Sequence, residues 1–256
     1  MYFITLKKKD LLTWLAILSL LIIFISLNAL TGSAKVFLSG TIPRKLPIYS
    51  VETQENKIAI SFDAAWGADK TDELIEILNE HQVKATFFLV GFWAEKHSDK
   101  VKALDENGFE IGTHSNTHPD MTNLSKTQMQ LELQTSINIL HNITGKKPKV
   151  FRPPFGAYNN ALIETAESLG LKTIQWDVDS LDWKDYTAQQ IAQRVISKTK
   201  KGSIILMHNN GQNTPKALRL IILGLKNKGF EFVCVGELIY WDNYYIDHTG
   251  RQIKII

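Results

Sequence analysis

The stretch Asn107-Gly108-Phe109-Glu110-Ile111-Gly112-Thr113-His114-Ser115-Asn116-Thr117-His118 sets architecture and chemistry together. Asn107-Gly108 reads as a helix stop, with glycine free to take the left-handed backbone that ends a helix. The short run 110–112 that follows reads as a strand. Just beyond it stand two imidazoles four residues apart, a spacing that lets both face one metal ion. Helix stop, strand, then polar residues past the strand's carboxyl end form the repeating unit of a parallel α/β fold.

The unit recurs in both directions. Apolar runs at 57–62, 85–90, 149–152, 172–176, 203–207 and 231–235 predict strands. Amphipathic patterns at 69–81, 100–107, 126–143, 159–169, 187–200 and 215–228 predict the helices between them. Leu169-Gly170 and Lys228-Gly229 repeat the stop signal. Asp63, Arg152, Asp179 and His208 then fall just past strand ends, as His114 does. In α/β barrels that end carries the chemistry. A carboxylate, a guanidinium held by the rigid Pro153-Pro154, and a pair of imidazoles describe a metal-assisted hydrolytic site.

Five motifs appear in order: Ile60-Ser61-Phe62-Asp63, Thr113 to His118, Phe151-Arg152-Pro153-Pro154-Phe155-Gly156, Asp179-Ser180-Leu181-Asp182-Trp183 and Leu206-Met207-His208. In this order and at these intervals they resemble the polysaccharide deacetylases of the NodB-homology type, carbohydrate esterase family 4. The resemblance runs from about residue 57 to about residue 238. Phe62-Asp63 followed by Trp66-Gly67, in a short chain with an apolar N-terminus, looks most like the sporulation-associated (PdaB-type) branch.

The resemblance implies a distorted (β/α) barrel of about seven parallel strands. It also implies a hydrolase that removes N-acetyl groups from an amino-sugar polymer, with peptidoglycan or a chitin-like glycan as substrate. His114 and His118 resemble the ligands of a divalent metal, zinc with cobalt as the alternative. Asp63 resembles the base that deprotonates the attacking water, and Arg152 the residue that orients it. His208 resembles the acid for the departing amine, and Asp182 its carboxylate partner. Trp183 and Leu206 resemble the walls around the acetyl methyl, and the backbone N–H of Phe155 resembles an oxyanion donor. The family's second aspartate, a metal ligand, is Ala64 here. Three outcomes stay open: a weak site of two histidines and water, another carboxylate such as Asp69 reaching back across Gly67, or no metal. The alternative function is accordingly a catalytically weak or inactive glycan-binding protein on the same fold. A third reading is an amidohydrolase for a small external molecule. Trp66 is placed to line the groove or to pack, and the aromatic tail 240–245 to close the core or to stack on sugars.

Composition narrows the field. Of 256 residues, 44% are hydrophobic and 21% charged, as in ordinary globular proteins, and the net charge is only +3. No basic stripe interleaved with aromatics points to nucleic acid. The single cysteine, Cys234, excludes an intrachain disulfide and a thiolate cluster, and reads as core.

The apolar, uncharged run 11–30 is long enough for a bilayer core, and Lys7, Lys8 and Lys9 precede it. The expected organisation is a cytoplasmic N-terminus (1–10), a transmembrane signal-anchor (11–30), a linker with room for one short strand (31–50) and the deacetylase-like domain (51–256). That places a single-pass protein in the cell membrane with its domain outside. Cleavage at Gly32-Ser33-Ala34 and secretion is the alternative.

Overall fold

The computed structural model describes residues 8–38 and 43–255. Residues 1–7 and 39–42, and with them Lys7 and parts of the expected N-terminus and linker, lie outside the described residues. The chain divides into two units, residues 1–44 and 45–256.

The first unit carries helix α1 (Lys8–Leu38). Its segment Lys9–Leu27, of mean hydropathy 2.4, is long and apolar enough to cross a membrane. The helix continues past residue 30, so 31–38 is helical where the sequence suggests irregular chain. Within Lys9–Leu27 apolar residues lie on every side with no polar face, a composition shared by membrane spans and signal sequences.

The second unit is built on a parallel sheet. Its strands are β1 (Ser50–Val51), β2 (Lys57–Ala64), β3 (Thr86–Leu89), β4 (Glu110–Thr113), β5 (Val150–Phe151), β6 (Lys172–Thr173), β7 (Val178–Asp179), β8 (Ile204–His208), β9 (Glu231–Phe232), β10 (Tyr244–Ile246) and β11 (Arg251–Lys254). Its helices are α2 (Thr71–Glu80), α3 (Gly91–Lys96), α4 (Ser98–Glu106), α5 (Lys126–Thr144), α6 (Asn160–Ser168), α7 (Ala188–Lys198), α8 (Thr214–Asn227) and α9 (Val235–Leu238). Seven strands run side by side in the order β6-β5-β4-β3-β2-β8-β7, and β9 pairs the start of β2. Every pairing among them is parallel, as the resemblance implies.

Alternation along β2 separates two cores. Ile58, Ile60, Phe62 and Ala64 face the helices, with Leu74 and Leu78 of α2 and Leu218, Ile221 and Ile222 of α8 in the same cluster. Ala59 joins Phe88, Val150, Ile174 and Ile204 in a second cluster inside the curled sheet. Both faces are apolar because a parallel sheet is covered on both sides.

The segment before β2 reaches from the end of β6 to the residues that precede β8. Ile48 bridges Ile174 and Ser50 bridges Ser203. Ile48 N donates to Thr173 O (2.9 Å), Gln175 N to Ile48 O (2.7 Å) and Val51 N to Gly202 O (2.9 Å). Gly202, at φ 75°, has no room for a side chain, since a Cβ there would lie 1.8 Å from Val51 O. A second sheet, β1-β11-β10, ties the end of the chain to this seam. The aromatic tail is thus mainly structural: Tyr240 packs on the inner core, and Tyr244 and Tyr245 lie in β10.

Candidate active site

β2 delivers Asp63 by parity. Ala59 and Ser61 point to the inner face, so Asp63 does too, at the carboxyl end of the strand. Ser61 is satisfied by donating to Ile205 O at 2.7 Å. In the β2–β8 register Asp63 is opposite His208, so the two groups share one strand end.

Arg152 follows β5, and its N–H donates to Thr113 O at 3.0 Å. Its guanidinium is fully buried. Nη1 donates to Asp63 Oδ1 (2.8 Å) and Nη2 to Gln175 O (3.1 Å). The guanidinium carbon lies 4.1 Å from the centre of the Phe88 ring, a cation–π contact that replaces lost water. That ring fits because residue 112 is glycine: a Cβ there would come within 2.6 Å of it. Burial pushes the Asp63 carboxyl up, but the charges of Arg152, then His114 and His208, together with the Arg152 hydrogen bond, outweigh it. The net pKa lies below the ordinary carboxylate value, and Asp63 is ionised at neutral pH.

The two imidazoles sit on the loop after β4. His114 Nδ1–H donates to Arg152 O at 2.7 Å, because a carbonyl can only accept. This fixes the tautomer and leaves Nε2 with its lone pair, 3.5 Å from Asp63 Oδ2. Burial lowers the His114 pKa to about 4, so the ring is neutral. Burial also lowers that of His118. The two rings meet edge to face at 4.9 Å.

The loop between them is strained and held. Ser115 and His118 take left-handed φ values of 69° and 60°, which cost non-glycine residues about 1 kcal/mol or more each. Ser115 Oγ accepts from His118 N at 3.0 Å. Glu132, on α5, accepts from Asn116 N (2.9 Å), Thr117 N (2.8 Å) and Thr117 Oγ1 (2.7 Å).

Two neutral imidazoles, one held in a set tautomer by a carbonyl, are suitable nitrogen donors for a divalent cation. They form a partial set. Among the described residues no group of three or more His, Cys, Asp or Glu converges as a metal site. Ala64 is fully buried in the helix-facing core, and its neighbour Ala65 lines the cleft instead. Asp69 does not fill the gap: it is exposed and pairs with Lys70 at 3.1 Å. Charge at the front of α2 suits that helix end.

His208 ends β8. Its Nδ1 bonds Asp182 Oδ1 at 2.8 Å and its backbone N–H donates to Asp182 Oδ2 at 2.9 Å. Asp182 Oδ2 also accepts from Thr214 Oγ1 at 2.6 Å. Burial alone would lower the His208 pKa, but the hydrogen bond to and charge of Asp182, with Asp63 adding to them, raise it above the ordinary imidazole value. Asp182 is buried while His208 keeps a side-chain exposure of 26%. The imidazole therefore has a supported side and an open side.

These groups surround a cleft of about 580 Å³. Asp63, His114, His118, Phe155, Trp183, Leu206 and His208 line it, with Arg152 and Asp182 behind them. Leu206 is buried in its floor, whereas Phe155 and Trp183 stand out at its rim. Phe155 takes φ 59° in the single turn Pro154–Gly156, and Gln175 Nε2 holds that turn by donating to Gly156 O at 2.9 Å.

Trp66, Trp176, Asp179 and Asn210 also line the cleft. Asp179 and Trp66 stood at readable strand ends, but Trp176 and Asn210 had no motif to mark them. The supporting residues Glu132 and Thr214 come from helices and Gln175 from the segment between β6 and β7, and none carried a local signal.

The Polysaccharide deacetylase family model matches residues 50–174. YlxY of Bacillus subtilis is 35% identical over 75% of this chain and 60% of its own length. The peptidoglycan-N-acetylglucosamine deacetylase PgdA of Listeria monocytogenes is 34% identical over 82% of this chain and 46% of its own. The chain thus spans about half to three fifths of these two relatives. BA3943 of Bacillus anthracis, described as a CE4 family pseudoenzyme, superposes with a TM-score of 0.73 and 32% identity, covering 81% of this chain and 72% of that one. A mutant of BA3943 with restored enzymatic activity superposes equally well, at 35% identity.

Proposed function

The chain belongs to the polysaccharide deacetylase family, and from that premise we propose that it is a hydrolase removing N-acetyl groups from an amino-sugar polymer, the peptidoglycan of a cell wall or spore envelope. One observation carries the reading. Asp63 and His208, a carboxylate held ionised and an imidazole held protonatable, stand opposite each other on paired strands at one cleft. A module that only binds glycan has no use for both.

The acetamide enters with its methyl against Leu206 and Trp183 and its nitrogen toward His208. Asp63 takes a proton from the attacking water, with Arg152 fixing the carboxylate's aim. The backbone N–H of Phe155 faces the oxygen that gains charge. His208 gives its proton to the departing amine, and Asp182 stabilises the cationic ring beforehand. His114 and His118 would hold a divalent metal, zinc or cobalt, which would supply Lewis acidity to the reaction when bound. The N-terminal helix serves as a membrane anchor with the domain outside the cytoplasm. The sporulation-associated branch belongs to the same proposal and rests on Trp66-Gly67 after Phe62-Asp63.

The test is acetate release from peptidoglycan or N-acetylglucosamine oligomers by the full chain in detergent, with zinc supplied. Asp63→Asn should abolish it, because an amide cannot accept the proton. Equal rates would remove Asp63 from the mechanism.

A second reading, a catalytically silent glycan-binding protein, is favoured by Ala64, by the partial donor set and by the similarity to a pseudoenzyme. Calorimetric titration of zinc into the natural protein and Ala64→Asp separates the two. The natural protein should bind weakly and the variant more tightly, its carboxylate turning at the strand end from the helix-facing core to the cleft; equal binding by both would mean that it does not turn. Since residue 64 is fully enclosed, the variant should also melt earlier without metal and recover with it. No binding by either protein would favour the silent reading.

A further inference from the structure

We propose that Trp66 is a sugar-stacking platform that gives this cleft its preference for a polymer over a single amino sugar; the inference rests on the glycan reading above. Trp66 lines the cleft and is 58% exposed. Large aromatic surface held in water is unfavourable unless something covers it. Its exposure is not a product of a loose loop. The next carbonyl, Gly67 O, accepts from both Trp93 Nε1 (2.6 Å) and Asn209 Nδ2 (2.8 Å). Asn209 is buried, and its own N–H donates to Asp63 O at 3.1 Å. Gly67 turns the chain at φ 61°. The Trp66 ring rests on Phe92 with centroids 5.3 Å apart and on the edge of His118 at 6.1 Å.

Its place in the fold decides what it would touch. Phe155 follows β5, Trp66 follows β2 and Trp183 follows β7, so the sheet order spaces three exposed aromatics across one strand end. Phe155 and Trp183 flank the reacting acetamide. Trp66 stands between the His118 and His208 sides with its exposed face turned to solvent, and on the proposal the next sugar of a linear chain covers that face. An aromatic face suits the apolar C–H face of a pyranose ring, and a fixed ring loses little entropy on binding.

Affinity for the N-acetylglucosamine tetramer and for the monosaccharide should be measured in a His208→Ala background, which blocks turnover, using the full chain in detergent. Tryptophan fluorescence gives the signal. Adding Trp66→Ala should weaken the tetramer about tenfold, with Trp66→Tyr within about threefold of the parent. The monosaccharide should change little, and the tetramer-induced fluorescence change should shrink. Equal tetramer affinity with Trp66→Ala overturns the platform while leaving the glycan reading intact. No tetramer binding by the Trp66-bearing parent overturns both.

Discussion

Replacing Asp63 with Asn does more than remove a base, because Arg152 is buried behind it and would be left with its charge unpaired. Breaking such a pair from one side costs about 3–5 kcal/mol, so Asp63→Asn should melt well below the natural protein. Unchanged melting would mean that Phe88 and Gln175 O hold the guanidinium unaided. Because the Asp63 pKa is depressed, its contribution is present above the ordinary carboxylate range and is lost as pH falls through the folded value. His208 works in the opposite sense. Its pKa is raised, so the His208–Asp182 pair stabilises fully below the ordinary imidazole value and loses that contribution as pH rises through the folded one. Asp182→Asn should therefore move the alkaline limb of kcat/KM to lower pH, with the melting gap to the natural protein widest near about pH 5–6. Losses from Asp182→Asn and His208→Ala should also fall short of additive. Strictly additive losses would break the proposed pair. At this scale the cleft-lining residues Asp63, His114, His118 and His208 were legible in sequence, since each follows an apolar strand within a short motif. Their supports were not: nothing local marks Thr214 as the second partner of Asp182, or Gly112 as the space for the Phe88 ring.

Among the elements, those with an apolar run or a helical period were readable, the short strands β4, β5 and β6 included, whereas elements set by distant contacts were not. The strand at 57–62 and the helix at 126–143 appear as β2 and α5 with small shifts at their ends. The six-residue α3 has no start signal in sequence. It begins at Gly91, where the Oδ1 of Asn116 occupies the place of a Cβ at 2.3 Å, a contact from another loop. The run 231–235 reads as one strand, but β9 stops at Phe232 and α9 starts at Val235. Glu237 turns back to accept from Cys234 N at 3.0 Å. Burial there raises the Cys234 thiol to about 12, which suits an inert core residue. The hairpin of β10 and β11 was not read from the sequence; in it Asp247 accepts from Thr249 N and Arg251 N in a turn closed by Gly250. The element with the sharpest functional consequence is α5. Through Glu132 it clamps the strained loop between His114 and His118. Glu132→Ala should speed hydrogen exchange at the Asn116 and Thr117 amides and weaken zinc binding several-fold, with little loss of helix content. Unchanged exchange would show that Ser115 alone holds the loop.

At the scale of the whole molecule, the seam before β2 is the place where the sheet is completed. Gly202→Ala would drive a methyl into Val51 O and force a left-handed φ on alanine. It should cost more than about 1 kcal/mol and loosen both sheets, read as a lower melting point. An unchanged melting point would mean that the seam gives way without cost. For the N-terminal unit, the intact chain should fractionate with membrane, resist salt extraction and expose its domain to external protease. A soluble chain beginning near Lys35 would instead establish a cleaved signal. The long apolar helix was legible from composition, but the closure was not, because Ile48 and Ser50 pair with residues more than a hundred positions away. That same pairing governs time. β1 has no complete neighbour until β11 arrives about two hundred positions later, so a chain lacking β11 leaves the edge of β1 open. Contacts so distant in sequence form slowly. A nascent chain leaving the ribosome or a translocon should stay sensitive to protease until β11 emerges, and then become resistant in a single late step.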